Sequence, residues 1–426
     1  MKKESKKWMR LDNAALIYPP ALKKKYAMMF RLTITFKEVI DKEVLSKALE
    51  NTLVRLPSFA YRLRRGLFWY YLEKIDGIPP ILDDVNNPMT TINFKENNNF
   101  MFRVRVYENR LALEFFHALT DGTGGATLLL TLSREYLRLK YKANIPYTDK
   151  ILNISDKPKK EEIEDSFKKY AGKVGALSKE EVAYHLKGKE LPSHVLNIVT
   201  GKISITSLKE LTKKYDCTIT VFLASIMFLS LIEIQNNNND SKKHPIKISI
   251  PVNLRRFFKS VTLRNFSSYV NPSIDTKLGD YTLEEIIKEV KSQLDFMITE
   301  KKLRSKFTGN VNMEKKFYIR IMPNFIKKKA LSISDYLMGD RYYTTVFSNY
   351  GLINIPKEMQ EYITDLGFII GRSRNKHGSV ACISCMDNLY ITFTSRIKST
   401  EFERLFFTKL VELGVPVYIE SNRGGL

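Results

Sequence analysis

The stretch Leu111–Gly125 constrains the fold more than any other part of this chain. Between Leu111 and Phe116, apolar side chains alternate with others at a period of two, which predicts a half-buried strand. Asp121 then interrupts the strand, and the glycines that follow it open a helix with one apolar face. His117 stands at the end of the strand, on the face that should point inward.

A histidine at a strand end, facing a helix N-terminus across a glycine-rich turn, is a candidate general base. The competing interpretation is a histidine that only fills the core and is followed by an ordinary turn. The sequence favours the first interpretation, because His117, Asp121 and Gly122 occur together in the order H-x-x-x-D-G. We therefore expect the functional site to lie here.

The hexapeptide H-A-L-T-D-G resembles the H-x-x-x-D-G signature of the CoA-dependent acyltransferase superfamily, which is built like chloramphenicol acetyltransferase. The resemblance implies that His117 is the catalytic base and that Asp121 and Gly122 are structural residues of the site. It also implies acyl-CoA, such as acetyl-CoA, as a co-substrate, with no bound cofactor.

Strand and helix patterns alternate through both halves of the chain, which predicts an α/β fold of the two-layer (α+β) kind. We expect residues 1–150 to form the N-terminal half, residues 193–426 the C-terminal half, and the polar residues 151–192 a crossover linker. The resemblance implies that each half is a chloramphenicol acetyltransferase-like domain, with a mixed sheet covered by helices. The active-site channel would then lie between the two domains.

Asp121 needs a cationic partner if its carboxylate is buried. Arg255, at the end of the segment P-V-N-L-R-R, is the first candidate, and Arg256 is the rival. In the superfamily the Asp of the signature bonds an Arg on a strand of the second domain, and Asn253–Arg255 resembles that segment. The alternative is that both arginines face solvent.

The segment Ser348-Asn349-Tyr350-Gly351 resembles the S-N-x-G turn of wax ester synthases and related bacterial acyltransferases. An Asn or Ser at a strand end can donate a hydrogen bond to a developing oxyanion or hold the shape of a channel. Ser348, Asn349 and Gly351 are therefore candidate oxyanion or channel residues. As a bare tetrapeptide the segment is also an ordinary turn.

Arg372 and Arg374 belong to a basic loop that can meet a phosphate of CoA, although a solvated turn is the competing interpretation. No metal site is expected, because the histidines outside the signature lack the spacing of metal ligands. The sequence also has no G-x-S-x-G element and no phosphate-binding glycine loop, so serine hydrolase and nucleotide chemistry are not indicated.

The chain carries 69 Lys and Arg against 46 Asp and Glu, a net charge of +23. These charges are scattered and form no recognised nucleic-acid motif, so we expect a solvated surface and no nucleic-acid partner. Weak contact with an anionic membrane surface is compatible with the charge. We expect a monomer whose partners are acyl-CoA and a small hydroxylated acceptor.

Three cysteines make no disulfide framework, which favours a reducing, cytoplasmic location. Cys382 and Cys385 spell C-x-x-C, but their segment reads as a strand, where residues three apart face opposite sides. Ile219–Ile232 is the longest apolar run, and its length and polar interruptions favour a buried helix over a membrane span.

The expected function is an acyl-CoA-dependent O-acyltransferase of the alcohol O-acetyltransferase and wax ester synthase-like branch. Condensation domains of the superfamily carry two histidines in tandem, but Phe116 stands where the first would be. The D-F-G-W-G element of plant members is also missing. Two alternatives stay open: a condensation-like domain acting on carrier-protein thioesters, and a non-catalytic binding descendant of the fold.

Overall fold

The computed structural model describes residues 7–22, 27–175, 181–192, 194–238, 242–327, 340–371 and 378–423. Its strands are β1 (Trp8–Arg10), β2 (Met29–Phe36), β3 (Tyr61–Arg65), β4 (Tyr70–Lys74), β5 (Ile81–Asp83), β6 (Phe102–Tyr107), β7 (Arg110–Phe116), β8 (Asn197–Ser204), β9 (Ile246–Asn253), β10 (Ser267–Val270), β11 (Ser273–Ile274), β12 (Thr345–Leu352), β13 (Ile363–Ile370), β14 (Ser379–Cys385), β15 (Asn388–Ser395) and β16 (Tyr418–Ser421). Its helices are α1 (Tyr18–Ala21), α2 (Lys42–Arg55), α3 (Gly122–Tyr141), α4 (Ser166–Tyr170), α5 (Ile205–Lys214), α6 (Ile219–Asn237), α7 (Leu283–Met297), α8 (Glu300–Lys315), α9 (Phe317–Ile321), α10 (Lys357–Gln360) and α11 (Glu401–Glu412).

The first large sheet has the strand order β13-β2-β7-β6-β5 and is antiparallel except for the β5–β6 pair. Helices α2 and α3 pack together, and α3 also lies against β2 and β7. Each helix begins where an aspartate caps it: Asp41 accepts hydrogen bonds from the first turn of α2, and Asp121 from that of α3.

Strand β7 is buried on both faces, so the prediction of a half-buried strand is wrong. Glu114, on the second face, is fully buried and lies between the guanidinium groups of Arg31 and Arg103. Arg31 also pairs with Asp84, whose carboxylate is itself buried. Glu114, the polar position in the alternating pattern, is therefore part of a buried cluster of charges. These charges can be buried because each of them has an oppositely charged partner.

The second large sheet has the order β10-β9-β12-β14-β15-β8-β16, with β11 added beside β9. Strand β12 runs parallel to both β9 and β14, so this sheet is mixed, as the predicted fold class requires. Helix α6 packs against α7 and α11 over this sheet, and its side chains are buried along most of its length. Among the described residues it is the one helix long and apolar enough to cross a membrane. Its burial agrees with the expected core helix.

Strand β13 comes from the C-terminal half of the sequence but pairs with β2 in the sheet of the N-terminal half. It also contacts β14 and β15 of the second sheet, so it joins the two sheets. The boundaries at residues 150 and 193 stay a prediction, and β13 is a segment that crosses between the two halves.

The structure has two separate hydrophobic cores, and strand β14 contributes to both. Cys385 belongs to the first core and Cys382 to the second, and both thiols are free and fully buried. Burial raises the pKa of both thiols, that of Cys385 to about 11. The two side chains face opposite sides of the strand, as expected from their spacing.

Candidate active site

The candidate base, His117, follows the last residue of β7 and is held by its backbone. Its N–H donates to the carbonyl oxygen of Met28 at 3.0 Å. The imidazole stacks on the ring of Tyr18, with centroids 4.8 Å apart, and meets the edge of Phe30 at 5.1 Å. Two aromatic rings therefore fix the plane of the imidazole, and the side chain stays partly accessible.

Asn265, from the loop between β9 and β10, sets the tautomer of His117. The Nδ2 group of Asn265 donates to the His117 carbonyl oxygen at 3.0 Å and to a carboxylate oxygen of Asp12 at 3.3 Å. Both partners are acceptors, so Oδ1 must be the atom that lies 3.1 Å from Nδ1 of His117. Since Oδ1 can only accept, Nδ1 carries the proton. The free lone pair is therefore on Nε2.

Asp12 holds the side chain of Asn265 in this arrangement. Its carboxylate is fully buried, accepts a hydrogen bond from the Ala15 N–H at 2.8 Å and lies 3.5 Å from the guanidinium of Arg264. Burial raises the pKa of Asp12 to about 6, and the charge of Arg264 opposes this rise. The chain of contacts from Arg264 through Asp12 and Asn265 thus ends on the imidazole.

Burial lowers the pKa of His117 below the usual range of histidine. The negative charge of Asp121 and the hydrogen bond to Asn265 oppose this effect but do not cancel it. Because the neutral form is favoured, the imidazole is ready to accept a proton at neutral pH.

Asp121 uses both carboxylate oxygens to fix the loop after His117. One oxygen caps α3 by accepting from the N–H groups of Thr123 and Gly124. The other accepts from Nη1 of Arg255 at 2.7 Å and from the N–H of Phe266 at 2.8 Å. The predicted pair of Asp121 with Arg255 is present. Its partner loop also carries Asn265, so the pair ties the two halves of the site together.

The guanidinium of Arg255 makes several hydrogen bonds besides the one to Asp121. Its other N–H groups donate to the carbonyl oxygens of Thr262 and Arg264, and Nη1 also lies 3.3 Å from the side-chain oxygen of Asn253. Arg256 is exposed to solvent. The guanidinium of Arg255 therefore organises the loop 262–266 as well as Asp121.

Gly124 is the glycine that this packing needs. A Cβ atom at Gly124 would lie 2.1 Å from the carbonyl oxygen of Leu263, whereas one at Gly122 would meet only the ring of Tyr350, at 3.5 Å. Thr120 donates to the same Leu263 carbonyl. The close approach of the second half to the signature loop therefore depends on a position outside the signature.

The segment Ser348–Gly351 is the last part of strand β12 and not a turn after it. The register with β14 shifts after Asn349, and Gly351 has a φ of 86°, which favours glycine. The side chain of Asn349 accepts from the Gly351 N–H and donates to the hydroxyl of Thr220. These contacts give Asn349 a structural part in the strand end, and the oxyanion role of Ser348 and Asn349 stays a prediction.

Tyr350 lies beside the signature loop, which the sequence did not indicate. Its hydroxyl is buried and has no hydrogen-bond partner among the described residues. Burial, with the nearby charge of Asp121, raises the pKa of this hydroxyl, so it is a neutral donor. The ammonium of Lys150 lies 4.9 Å from the ring centre. Burial lowers the pKa of Lys150, the charge of Asp149 opposes this effect, and the charge of Arg256 adds to it.

Arg372 and Arg374 lie outside the described residues. Within the described ranges no group of three or more His, Cys, Asp and Glu side chains could hold a metal ion. Besides Arg255, the structure places the basic side chain of Lys150 near the signature loop, over the ring of Tyr350.

A cavity of about 390 Å³ lies beside the segment that carries the stacked tyrosine. Leu11 and Leu16 form one wall, and the chain runs on from Leu16 to Tyr18 on the face of His117. The other lining residues are Arg10, Phe68, Trp69, Tyr70, Glu314, Phe317, Arg320 and Ile321. The lining is mostly apolar and aromatic, as is usual for a small-molecule site.

Sequence reasoning missed Asn265, Asp12 and Tyr18 as site residues. Asp12 and Tyr18 belong to the segment L-D-N-A-A-L-I-Y-P-P near the N-terminus, whose density of apolar residues and prolines is a weak signal at most. Asn265 lies in the loop just before strand β10, which begins at Ser267. No local pattern marks it, because its contacts are to residues 148 and 253 positions away.

Two mixed sheets joined by β13, with the loop of His117 between the two halves, agree with the architecture that the resemblance to the CoA-dependent acyltransferase superfamily implies. The family model described as alcohol acetyltransferase matches residues 166–413, which is more than half of the chain. The chain therefore belongs to the alcohol acetyltransferase family. None of the curated proteins matches it.

Solved structures share the fold across nearly the whole chain. TRI101 of Fusarium graminearum, complexed with coenzyme A and deoxynivalenol, has a TM-score of 0.64 at 11% identity, covering 97% of this chain and 99% of that one. TRI3 trichothecene 15-O-acetyltransferase of Fusarium sporotrichioides has a TM-score of 0.61 at 11% identity, with 95% and 94% covered. The starter condensation domain of rhizomide synthetase, in complex with C8-CoA and Leu-SNAC, has a TM-score of 0.58 at 12% identity, with 94% and 93% covered. The predicted superfamily and fold class are confirmed.

Proposed function

We propose that the protein transfers an acyl group from a CoA thioester to a hydroxyl acceptor, with His117 as the general base. The observation that carries this proposal is the tautomer of His117. Asn265 Oδ1 holds the proton on Nδ1, which leaves the Nε2 lone pair free on a ring that two aromatic side chains hold in place. The membership of the alcohol acetyltransferase family supports the same reaction.

The proposed step needs no covalent enzyme intermediate. Nε2 of His117 accepts the hydroxyl proton while the acceptor oxygen attacks the thioester carbonyl carbon. The tetrahedral intermediate then collapses, the carbon–sulfur bond breaks, and the imidazolium returns the proton to the thiolate. The products are the ester and free CoA. Holding both substrates together supplies much of the rate, because the reaction becomes effectively unimolecular.

Tyr350 is the residue we propose as a hydrogen-bond donor to the substrates. Its buried hydroxyl has no partner among the described residues, and its ring packs against the start of α3 beside Gly122. A neutral buried donor costs free energy unless a ligand satisfies it. This hydroxyl therefore suits an oxygen of the thioester or of the pantetheine arm.

Lys150 and Arg256 are the side chains we propose for the phosphates of CoA. The ammonium of Lys150 lies over the ring of Tyr350, and Arg256, next to Arg255 in the chain, is exposed to solvent. Two cationic side chains of this kind suit the phosphates of CoA. This assignment replaces neither Arg372 nor Arg374, which remain predicted phosphate contacts outside the described residues.

The test is the release of free CoA thiol from acetyl-CoA in the presence of a panel of alcohols and amines. His117→Ala should lower the rate about 100- to 10,000-fold, because it removes the general base. Binding of acyl-CoA should persist, since the ring acts on the acceptor proton. His194→Ala, at an exposed histidine, is the matched control and should leave the rate unchanged.

Equal turnover with and without His117 would contradict the proposal. Turnover only with a pantetheine-bound acyl group on a carrier protein would favour the condensation-like alternative.

The cytoplasmic location and the monomeric state are also proposals. The three free cysteines support the first, and fractionation and sedimentation would test the two. The net charge of +23 supports weak contact with an anionic membrane surface.

A further inference from the structure

The mouth of the cavity is built from two segments that are fastened together. The backbone N–H of Asn324 donates to the carbonyl oxygen of Leu67, at the tip of the β3–β4 hairpin, over 2.7 Å. Nζ of Lys327 donates to the carbonyl oxygen of Phe68 and lies 3.4 Å from the centre of the Trp69 ring. The hairpin tip and the segment 317–327 therefore form one surface.

Large apolar side chains project from this surface into solvent. We call the surface the docking face and define it by Leu67, Phe68, Phe317, Tyr318, Phe325 and Ile326. The exposed fractions reach 74% for Phe317, 70% for Leu67 and 62% for Phe325. Such a cluster is unusual on a monomer, because contact between apolar side chains and water is unfavourable in free energy.

The charged side chains of the described segment 315–327, which carries most of the docking face, have a single sign. Lys315, Lys316 and Arg320 are exposed beside the apolar side chains, and the sequence 315–327 contains no Asp or Glu. The one acidic residue of the cavity, Glu314, turns inward, where Lys168 and Asn13 bind its two oxygens. The face therefore offers protruding apolar groups within a basic rim.

We propose that the docking face binds the surface of an anionic lipid bilayer and that the cavity takes from it an apolar, membrane-dissolved alcohol as the acceptor. The acceptor part rests on the proposed function. The apolar groups project from a helix and a hairpin tip, so they suit a fluid bilayer that closes around them. A protein partner would need a matching pocket for each of them, and the basic rim complements anionic headgroups.

Two cavity-lining residues, Phe68 and Phe317, also belong to the docking face. A bilayer bound there would cover the mouth of the cavity. An alcohol could then pass from lipid to protein without crossing water. The segment that contains Leu11 and Leu16 lines this cavity and continues to Tyr18, whose ring stacks on His117. The hydroxyl group of the acceptor must reach the imidazole of His117.

Flotation with vesicles tests the binding, using phosphatidylcholine alone and phosphatidylcholine with phosphatidylglycerol in equal parts. The full chain should float with the anionic vesicles and less with the neutral ones. Leu67→Ser with Phe325→Ser should lower the partition coefficient at least about tenfold, because two apolar side chains no longer insert. Lys315→Gln with Lys316→Gln should lower it about fivefold per lysine on anionic vesicles only.

The matched control is Leu278→Ser with Val411→Ser, two exposed apolar residues outside the docking face, which should float like wild type. Leu67 and Phe325 do not line the cavity, so their double variant should keep its turnover of a water-soluble alcohol. It should lose turnover of a long-chain alcohol supplied in anionic vesicles.

Equal flotation of all variants, or no flotation of wild type, would overturn the membrane proposal even if the enzyme is active. Binding to an acidic carrier protein in place of vesicles would also overturn it. Flotation that depends on the docking face, without any acyl transfer, would support the face and contradict the proposed function.

Discussion

The replacement Asp121→Ala tests how far the site depends on one carboxylate. Both of its oxygens are used: one caps α3, and the other binds Arg255 and the backbone of Phe266. Losing an N-cap costs about 1 kcal/mol of unfolding free energy. Breaking a buried ion pair costs about 3–5 kcal/mol, because the surviving charge stays buried without its partner. We therefore expect a loss of about 4–6 kcal/mol.

This loss is a large share of the 5–15 kcal/mol by which a typical protein is stable. Urea denaturation, followed by tryptophan fluorescence, measures it, and CoA release measures the accompanying loss of activity. Asp121→Asn separates the two contributions. Its amide oxygen still caps α3, but its NH₂ group would face the Arg255 and Phe266 donors, so about 3–5 kcal/mol should still be lost.

The double variant Asp121→Ala/Arg255→Ala should recover part of the loss, because no unpaired charge remains. The control is Glu50→Ala, which breaks the exposed pair with Lys47 and should change stability by less than about 1 kcal/mol. An Asp121→Ala protein as stable as wild type, with normal turnover, would refute the argument.

Three further predictions concern other buried groups. Glu114→Gln should lower the unfolding free energy by about 3–5 kcal/mol in urea titration, since Arg31 and Arg103 lose their shared carboxylate; an unchanged midpoint would show that the cluster is not a net contributor. Cys382→Ser with Cys385→Ser should leave activity insensitive to oxidant, as in wild type, because the two buried thiols face different cores; a redox-dependent loss traced to this pair would reverse that argument. Tyr350→Phe should lower kcat about 100-fold or more if its hydroxyl meets the developing oxyanion, whereas Tyr215→Phe, away from the loop, should not; equal kinetics would remove the donor role.

The sequence predicted those parts of the site that local chemistry determines. A buried carboxylate needs a cationic partner, and the family resemblance pointed to Arg255 as the partner of Asp121. The family signature supplied the role expected of His117. These inferences needed no knowledge of how the two halves pack.

The rest depends on distant contacts that leave no local pattern. Asn265 sets the tautomer of a histidine 148 positions earlier, and its own position depends on the Arg255 contacts of its loop. Strand β13 has an ordinary strand pattern, and such a pattern does not indicate which of the two sheets the strand joins. The segment Ser348–Gly351 has the residues of a turn, but Ser348 and Asn349 pair with β14, and the pairing resumes at Leu352.

The role of Asn265 yields the sharpest test of the catalytic histidine. Asn265→Asp would place a carboxylate against Nδ1 of His117 and against Asp12, 3.3 Å from the present Nδ2. Because burial already raises the pKa of Asp12 to about 6, one of the two carboxyls should bind a proton and restore that hydrogen bond.

The remaining negative charge should stabilise the imidazolium and raise the pKa of His117 by about 1–3 units. Wild-type kcat/KM should rise with pH through a histidine titration below the usual range, since burial lowers the pKa and the neutral ring is the active form. In Asn265→Asp the same rise should occur at higher pH. Asn109→Asp, in the turn at the opposite end of β7, introduces the same charge and should not move the profile. An unshifted profile in a stably folded Asn265→Asp protein would mean that another group than His117 governs the rate.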